Sequence, residues 1–320
     1  MFNQVTIIGL GLIGSSVARA MKQFNLCDTL IAADRGETVC QRVADLGFAD
    51  GVTHDIAASV QGSDFVVICV PPGAYGAVAG VIGPHLQEDA VVTDVGSVKQ
   101  AVIDAVRPHI PNHAHFVPGH PIAGTENSGP EAGFAELFDG RWCILTPTHD
   151  CDIQAVEKVV QFWESCNSTI EIMDAQRHDL VLGITSHLPH LIAYTIVDTA
   201  DQLEDDLKSE VLKYSASGFR DFTRIAASNP VMWRDVFMNN KIAVLDVLQR
   251  FTEDLTALQK AIRGGDEEFL FETFSRTRDI RRQIIELGQA DYKAPGGVVT
   301  QGTPPAPEQT EHQKAQEDQQ

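Results

Sequence analysis

Gly9-Leu10-Gly11-Leu12-Ile13-Gly14 sets three glycines at the spacing G-x-G-x-x-G, after the apolar run Val5–Ile8 and ahead of a helical stretch with Val17, Ala20 and Met21. In that setting the glycines permit a tight turn, close approach of a pyrophosphate, and close helix–strand packing. The helix N-terminus turns free N–H groups and a positive dipole end towards phosphate. Leu12 and Ile13 lie in the same phosphate-binding turn. The next apolar run ends at Asp34, twenty residues after Gly14. A carboxylate there accepts from both ribose hydroxyls of NAD and repels a 2′-phosphate, an exclusion that Arg35 beside it softens. NAD is the expected cofactor, with NADP possible. Val70 and Pro71 end a further apolar run, where a strand stops at the carboxyl edge of the sheet and nucleotides bind.

Two segments leave the ends of the following runs: Asp94-Val95-Gly96-Ser97-Val98-Lys99, and Gly119-His120-Pro121-Ile122-Ala123-Gly124-Thr125-Glu126-Asn127-Ser128-Gly129. Both are expected as loops beside the nicotinamide. A dehydrogenase removes a hydroxyl proton while hydride leaves the same carbon, and a neutral imidazole can accept that proton at pH 7. His120, held between Gly119 and Pro121, is the candidate base. Ser97 can hydrogen-bond the same hydroxyl or orient the imidazole, and it also falls beside the cofactor.

Arg220, Arg224 and Arg234 lie close together in the second half of the chain. A guanidinium fork suits a carboxylate, although Asp221 and Asp235 offer Arg220 and Arg234 simple ion pairs. His187 and His190 are three apart on a helix, with no cysteine or carboxylate at ligand spacing, so no metal is expected. One should pack or cap backbone freed by Pro189 while the other faces a substrate. Trp233 reads either as a pocket aromatic or as interdomain core. His109, His113 and His115 read as a solvated loop. Arg276, Arg278, Arg281 and Arg282 read as a solvated helix face with Asp279 and Glu286 as partners.

These groups need a scaffold. The runs Val5–Ile8, Leu30–Ala33, Phe65–Val70, Val91–Asp94, Phe116–Pro118 and Cys143–Thr146 are mostly continuous rather than alternating, as strands buried on both faces should be. With helical stretches between them they predict an α/β fold: an N-terminal Rossmann-type parallel-sheet domain followed by an all-helical C-terminal domain. Asp174 is a helix N-cap candidate after the apolar run Thr169–Met173. One long helix is expected from Ala175 to about Gln202, kinked near Thr185–Ser186 by Pro189. Ile242, Leu245, Leu248, Phe251, Leu255, Leu258 and Ile262 mark one face of a helix that Gly264-Gly265 stops, and Phe269–Leu287 forms another. The expected domains are 1–172 for dinucleotide binding, 173–290 for substrate binding and dimerisation, and a disordered tail over 291–320, rich in Pro, Gln and Glu. The broad apolar faces of the helical half predict a homodimer.

Of the 320 residues, 43% are hydrophobic and 21% charged, and 24 Lys plus Arg against 44 Asp plus Glu leave a net charge of -20. That balance argues against nucleic-acid and membrane-surface partners. An anionic small-molecule substrate would need a few basic residues gathered inside a pocket. Six cysteines without a C-x-x-C pair read as reduced thiols in a cytoplasmic protein, and the N-terminus lacks a basic signal-peptide region. The stretches Phe65–Gln87 and Leu180–Val197 carry no Asp, Glu, Lys or Arg and read as buried interior rather than bilayer spans.

Gly119-His120-Pro121-Ile122-Ala123-Gly124-Thr125-Glu126 with Ser128-Gly129 resembles the active-site loop of the prephenate/arogenate (cyclohexadienyl) dehydrogenases. Asp94–Lys99, Ser186-His187-Leu188-Pro189-His190, and Gly218-Phe219-Arg220-Asp221-Phe222-Thr223-Arg224-Ile225-Ala226 with Trp233-Arg234-Asp235 agree with the same family, in the same order, over about residues 3–290. The resemblance implies NAD(P)-dependent oxidative decarboxylation of prephenate or arogenate in tyrosine biosynthesis. By it His120 polarises or deprotonates the C4 hydroxyl, and Ser97 contacts that hydroxyl and His120. Arg224 grips a substrate carboxylate, His190 lies near the side-chain carboxylate, and Thr125 and Glu126 line the pocket mouth. Some relatives have a glycine run where Ser215-Ala216-Ser217 stands here, which places Ser217 near the substrate side chain and leaves prephenate and arogenate both open. Dehydrogenases of the 3-hydroxyacid or 6-phosphogluconate type share the architecture but resemble a pattern with a catalytic lysine in the helical half. No mutase or regulatory domain is expected, so tyrosine feedback would act at the active site.

Overall fold

In the computed structural model, residues 1–203, 210–211 and 213–286 are described; the tail expected over 291–320 lies outside them. The strands β1 (Phe2–Ile8), β2 (Cys27–Ala33), β3 (Gly51–Thr53), β4 (Phe65–Ile68), β5 (Val91–Asp94) and β6 (His115–Val117) form one sheet in the order β3-β2-β1-β4-β5-β6. Every pairing in it is parallel. Helices α1 (Leu12–Gln23), α2 (Glu37–Leu46), α3 (Ile56–Ser59), α4 (Tyr75–Ile82) and α5 (Gln100–Val106) connect the strands.

The continuous apolar runs follow from two-sided burial. Val5, Ile7, Phe65, Val67 and Val91 face one cluster with Val17, Ala20 and Met21 of α1. Ile8, Val66, Ile68 and Val92 face a second with Tyr75, Ala79, Val102 and Val106. The period-2 alternation of a strand sends neighbouring residues to opposite faces, and both faces are covered.

One expectation is corrected. Cys143–Thr146 does not extend the parallel sheet. Instead β7 (Gly119–Pro121), β8 (Trp142–Leu145) and β9 (Thr169–Ile172) form a second sheet, with β7 antiparallel to β8 and β8 parallel to β9. His120 therefore stands on a short strand, paired opposite Ile144, rather than in a free loop. Helix α6 (Ile153–Ser165) seats Phe162 and Trp163 in the first cluster.

From Ala175 onward all described elements are helices: α7 (Ala175–Leu182), α8 (Leu188–Asp201), α9 (Ser217–Thr223), α10 (Pro230–Asn239), α11 (Lys241–Gly264) and α12 (Glu267–Glu286). Asp174 caps α7 by accepting from Arg177 N at 2.8 Å. The expected kink is a π-helical turn over Gly183–His187 that joins α7 to α8. Pro189 lacks the N–H that regular α hydrogen bonding needs there. Ala175–Asp201 is long and apolar enough to cross a membrane by length and composition. It carries buried His178, Asp179 and His187, but Leu180, Val181, Ile184, Ile196 and Val197 are exposed, so the buried interior expected over Leu180–Val197 is corrected. Trp233 and Val236 of α10 join the second cluster of the sheet domain, so the two halves share a core.

The apolar face of α11 points away from its own protomer. Val244, Val247 and Ala261 are the residues buried within the protomer, while Ile242, Leu245, Leu255 and Ile262 are exposed. Phe269, Phe271, Phe274, Ile280 and Ile284 of α12 are exposed as well. Gly265 stops α11 in the left-handed region at φ 69°. Among the three histidines expected in a solvated loop, His115 begins β6 and His113 Nε2 lies 3.1 Å from the Leu86 carbonyl.

Candidate active site

The glycine turn is built for close approach. Gly9 has φ +93°, and a Cβ there would stand 2.4 Å from the Cys69 carbonyl oxygen and 3.0 Å from Val70 Cγ1. At Gly14 a Cβ would stand 1.9 Å from the Gly9 carbonyl oxygen. Both positions are closed to any side chain by the fold itself. Gly11 meets nothing within 4 Å, so folding alone does not require a glycine there. An open face on the N-cap of α1 fits a phosphate that needs the backbone unobstructed.

Asp34 Oδ2 accepts from Leu10 N at 2.9 Å and Oδ1 from Gly36 N at 2.8 Å. Each oxygen keeps a lone pair able to accept from a ribose hydroxyl, and the carboxylate is tied to the glycine-rich turn. Arg35 beside it is exposed, and Pro71 stands exposed just after β4. These residues fit a dinucleotide.

A buried ion pair latches the two chemistry-bearing segments. Lys99, fully buried, donates through Nζ to Asp94 Oδ2 and to the Gly119 carbonyl at 2.5 Å. Asp94 Oδ1 accepts from Gly119 N at 3.1 Å and Oδ2 from Gly96 N at 2.8 Å. Burial pushes the Lys99 amine down, and the Asp94 carboxylate beside it opposes that. Removing one partner of such a pair strands a buried charge, at a cost of about 3–5 kcal/mol. The segment carrying half-buried Ser97 and the strand carrying His120 are thereby held together.

His120 is 9% exposed. Its Nδ1 lies 2.8 Å from His178 Nε2, and His178 Nδ1 lies 2.8 Å from Asp179 Oδ1. The Asp179 oxygens also accept from Lys99 N at 2.7 Å and Gln100 N at 3.0 Å. Burial, then the neighbouring His178, Lys99 and His187, push His120 well below the ordinary histidine value. His178 is lowered by burial, with Asp179 opposing. Burial alone would raise Asp179, but hydrogen bonds from His178, Lys99 and Gln100 together hold it below the usual carboxylate value. The arrangement favours a neutral imidazole with Nδ1 engaged and Nε2 without a hydrogen-bond partner among the described residues.

The helical half brings the remaining groups. Asn240 Nδ2 donates to the Asp179 carbonyl at 2.8 Å and lies 3.0 Å from Nδ1 of buried His187. His190 donates from Nδ1 to the Ser186 carbonyl at 2.9 Å and stacks on Trp233, with ring centroids 3.6 Å apart. His190 thus satisfies backbone in the π-helical turn while burying its face on Trp233, which is 6% exposed and supports the ring from below. Arg224 Nη1 donates to Glu126 Oε2 at 2.9 Å, bridging the helical half to the loop after His120. In that loop Thr125 Oγ1 accepts from Asn127 N at 3.2 Å. Arg234 pairs with Asp235, and Arg278 and Arg282 pair with Asp279, as expected from the sequence. Ser217 opens α9 at an exposed position, and no hydrogen bond joins it to these groups.

His178, Asp179 and Asn240 escaped the sequence reading, and Lys99 was read only as part of a motif. A signal existed for Asp179: with His178 it directly precedes the uncharged stretch Leu180–Val197, where an inward-facing carboxylate needs partners.

The family model for the prephenate dehydrogenase nucleotide-binding domain matches residues 17–172, and that for the prephenate dehydrogenase dimerization domain matches residues 174–276. The chain belongs to the prephenate dehydrogenase family. It is similar to the cyclohexadienyl dehydrogenase of Zymomonas mobilis, with 43% identity over 88% of this chain and 96% of that one. The prephenate dehydrogenase of Bacillus subtilis shares 32% identity over 88% of this chain and 76% of its own. Among solved structures, a prephenate dehydrogenase from A. aeolicus in complex with hydroxyphenyl propionate and NAD+ superposes with a TM-score of 0.83 at 35% identity, covering 89% of this chain and 99% of that chain. The family resemblance and the fold class expected from the sequence therefore both hold.

Proposed function

We propose that the chain catalyses NAD-dependent oxidative decarboxylation of prephenate, with arogenate as the alternative substrate, and that His120 is the proton acceptor. The nicotinamide supplies the hydride acceptor for ring C4. His120 Nε2 takes the C4-hydroxyl proton as hydride leaves. The ring carboxylate departs as CO2, its electron pair aromatises the ring, and the proton returns to the phenolic oxygen. Ser97 holds the hydroxyl and the imidazole in line. Arg224 pins a carboxylate of the dianion, Glu126 and Thr125 border the entrance, and His190, backed by Trp233, lies near the side-chain carboxylate. Ser217 lies on the side-chain end.

One observation carries this reading: the buried imidazole of His120 has Nδ1 engaged and Nε2 spare, on a strand latched by Lys99 to the Ser97 segment. The exposed apolar residues of α11 and α12 support a homodimer that buries them, in line with the matched dimerization domain. All six cysteines are free, which suits a reducing cytoplasm.

The test is NADH formation monitored by absorbance with prephenate and with arogenate, for wild type and His120→Asn. The expected result is at least a 100-fold loss of kcat in the variant with NAD affinity retained. Turnover near the wild-type rate would remove His120 from the role of base.

A further inference from the structure

We infer that His178 and Asp179 are positioning residues that fix the ring tautomer of His120, a role that rests on the proposed function of His120 as base. The chain Asp179–His178–His120 runs inward from the N-terminus of α5 to the reacting face. Each link can be assigned from donors and acceptors alone. Asp179 Oδ1 takes the Lys99 N–H at 2.7 Å and lies 2.8 Å from His178 Nδ1. An ionised carboxylate only accepts, so His178 Nδ1 carries the hydrogen. A neutral imidazole has one N–H, which leaves His178 Nε2 as an acceptor.

That acceptor lies 2.8 Å from His120 Nδ1. His120 must then carry its hydrogen on Nδ1 and present an unprotonated Nε2. With the opposite tautomer, two lone pairs would face each other at 2.8 Å inside the protein and the substrate-facing nitrogen would hold a hydrogen. The base would be blocked before substrate arrived. When His120 takes the substrate proton, the resulting imidazolium keeps its Nδ1–H bonded to His178, with the Asp179 charge behind it.

Three attachments hold the pair in place. Asp179 is anchored by the backbone N–H groups of Lys99 and Gln100, immediately after the Ser97 segment. Asn240 grips the Asp179 carbonyl from the start of α11. His178 is fully buried, with its ring tilted 66° to that of His120. The charged and titratable neighbours facing this chain are Lys99, Asp94 and His187. Because Asp179 belongs to the helical half and His120 to the sheet half, the tautomer is set across the junction between them.

The test compares His178→Leu, His178→Gln and Asp179→Asn in the full chain, with kcat, KM for prephenate and the dissociation constant of NAD measured for each. Leucine fills space and accepts nothing. Glutamine reaches equally far, and its carbonyl oxygen accepts the His120 hydrogen bond. Asparagine at 179 keeps an oxygen for the Lys99 N–H and His178 but removes the negative charge that stands behind the His120 imidazolium. The expected result is a loss of kcat of about 100-fold in His178→Leu, with KM and NAD dissociation constant within threefold of wild type. At least tenfold of that loss should return in His178→Gln, and Asp179→Asn should lose at least tenfold in kcat. The inference is overturned if His178→Leu or Asp179→Asn turns over within threefold of wild type, if glutamine and leucine are equally slow, or if the loss lies in KM. Should His178→Leu fail to fold, the Asp179→Asn result decides alone. His120→Asn in the same assay separates the two claims. An active His120→Asn removes the base itself, whereas an inactive His120→Asn beside a fully active His178→Leu removes only the relay.

Discussion

Arg224 of the helical half and Glu126 of the loop after His120 form an ion pair with 2.9 Å between Nη1 and Oε2, both side chains open to solvent. An exposed pair of this kind contributes about 0–1 kcal/mol, too little to explain itself by stability. In the proposed function it holds the Arg224 guanidinium ready for a substrate carboxylate. Arg224→Ala is expected to raise KM for prephenate at least tenfold, the loss of about 1.5–3 kcal/mol from a charge-assisted hydrogen bond, while thermal stability stays within about 2 °C. A steady-state titration and a melting curve check both halves. An unchanged KM would release Arg224 from substrate binding.

The glycines of the turn should separate folding from binding. Gly14→Ala forces a Cβ against the Gly9 carbonyl and is expected to give little soluble protein. Gly11→Ala meets no protein atom, so it should fold with wild-type melting behaviour and lose NAD affinity at least tenfold. Calorimetric titration with NAD checks it, and undiminished affinity would place the pyrophosphate elsewhere.

At Asp34 the carboxylate braces the turn through Leu10, and in the proposed function it also accepts from the adenosine ribose. Asp34→Ser removes the charge that repels a 2′-phosphate, beside a guanidinium at Arg35. The ratio of kcat/KM for NADP over NAD is expected to rise at least tenfold, and rates with the two cofactors measure it.

Burial lowers His187 from 6.5 to about 4. Between those values the unfolded chain binds a proton that the folded chain refuses, so stability is present above pH 6.5 and falls as the pH drops towards 4. At roughly 1.4 kcal/mol per pH unit, this one residue costs the fold about 3 kcal/mol across that window. His178 and His120 act in the same direction. Denaturant unfolding at pH 7 and pH 4.5 should show the loss. His187→Gln, which cannot take up a proton, should flatten part of the slope.

Much of this architecture is legible in the sequence. Continuous apolar runs such as Phe65–Ile68 announce strands covered on both faces, and G-x-G-x-x-G before a helix with a carboxylate at Asp34 announces a dinucleotide turn. The second sheet was not legible, because β7 is three residues long and contains His120 and Pro121, neither of which marks a strand. His178 and Asp179 were hidden by their types. On a helix, two polar residues in the first turn and a half read as solvated, and only the packing of α7 against α5 turns them inward. The exposed face of α11 was read as apolar correctly, but periodicity alone cannot say whether such a face meets its own protomer or another.

The π-helical turn over Gly183–His187 carries a further consequence. One surplus residue in a helix advances everything beyond it by roughly 100°. His178 before the turn and His190 after it therefore stand at a phase that an unbroken α-helix would not give them. Deleting a single residue between Ile184 and Ser186 would tighten the coil into a more regular and intrinsically more favourable one, yet swing His190 off the Trp233 ring. A local defect in winding is thus what lets one continuous rod present His178 to His120 and His190 to Trp233 at once.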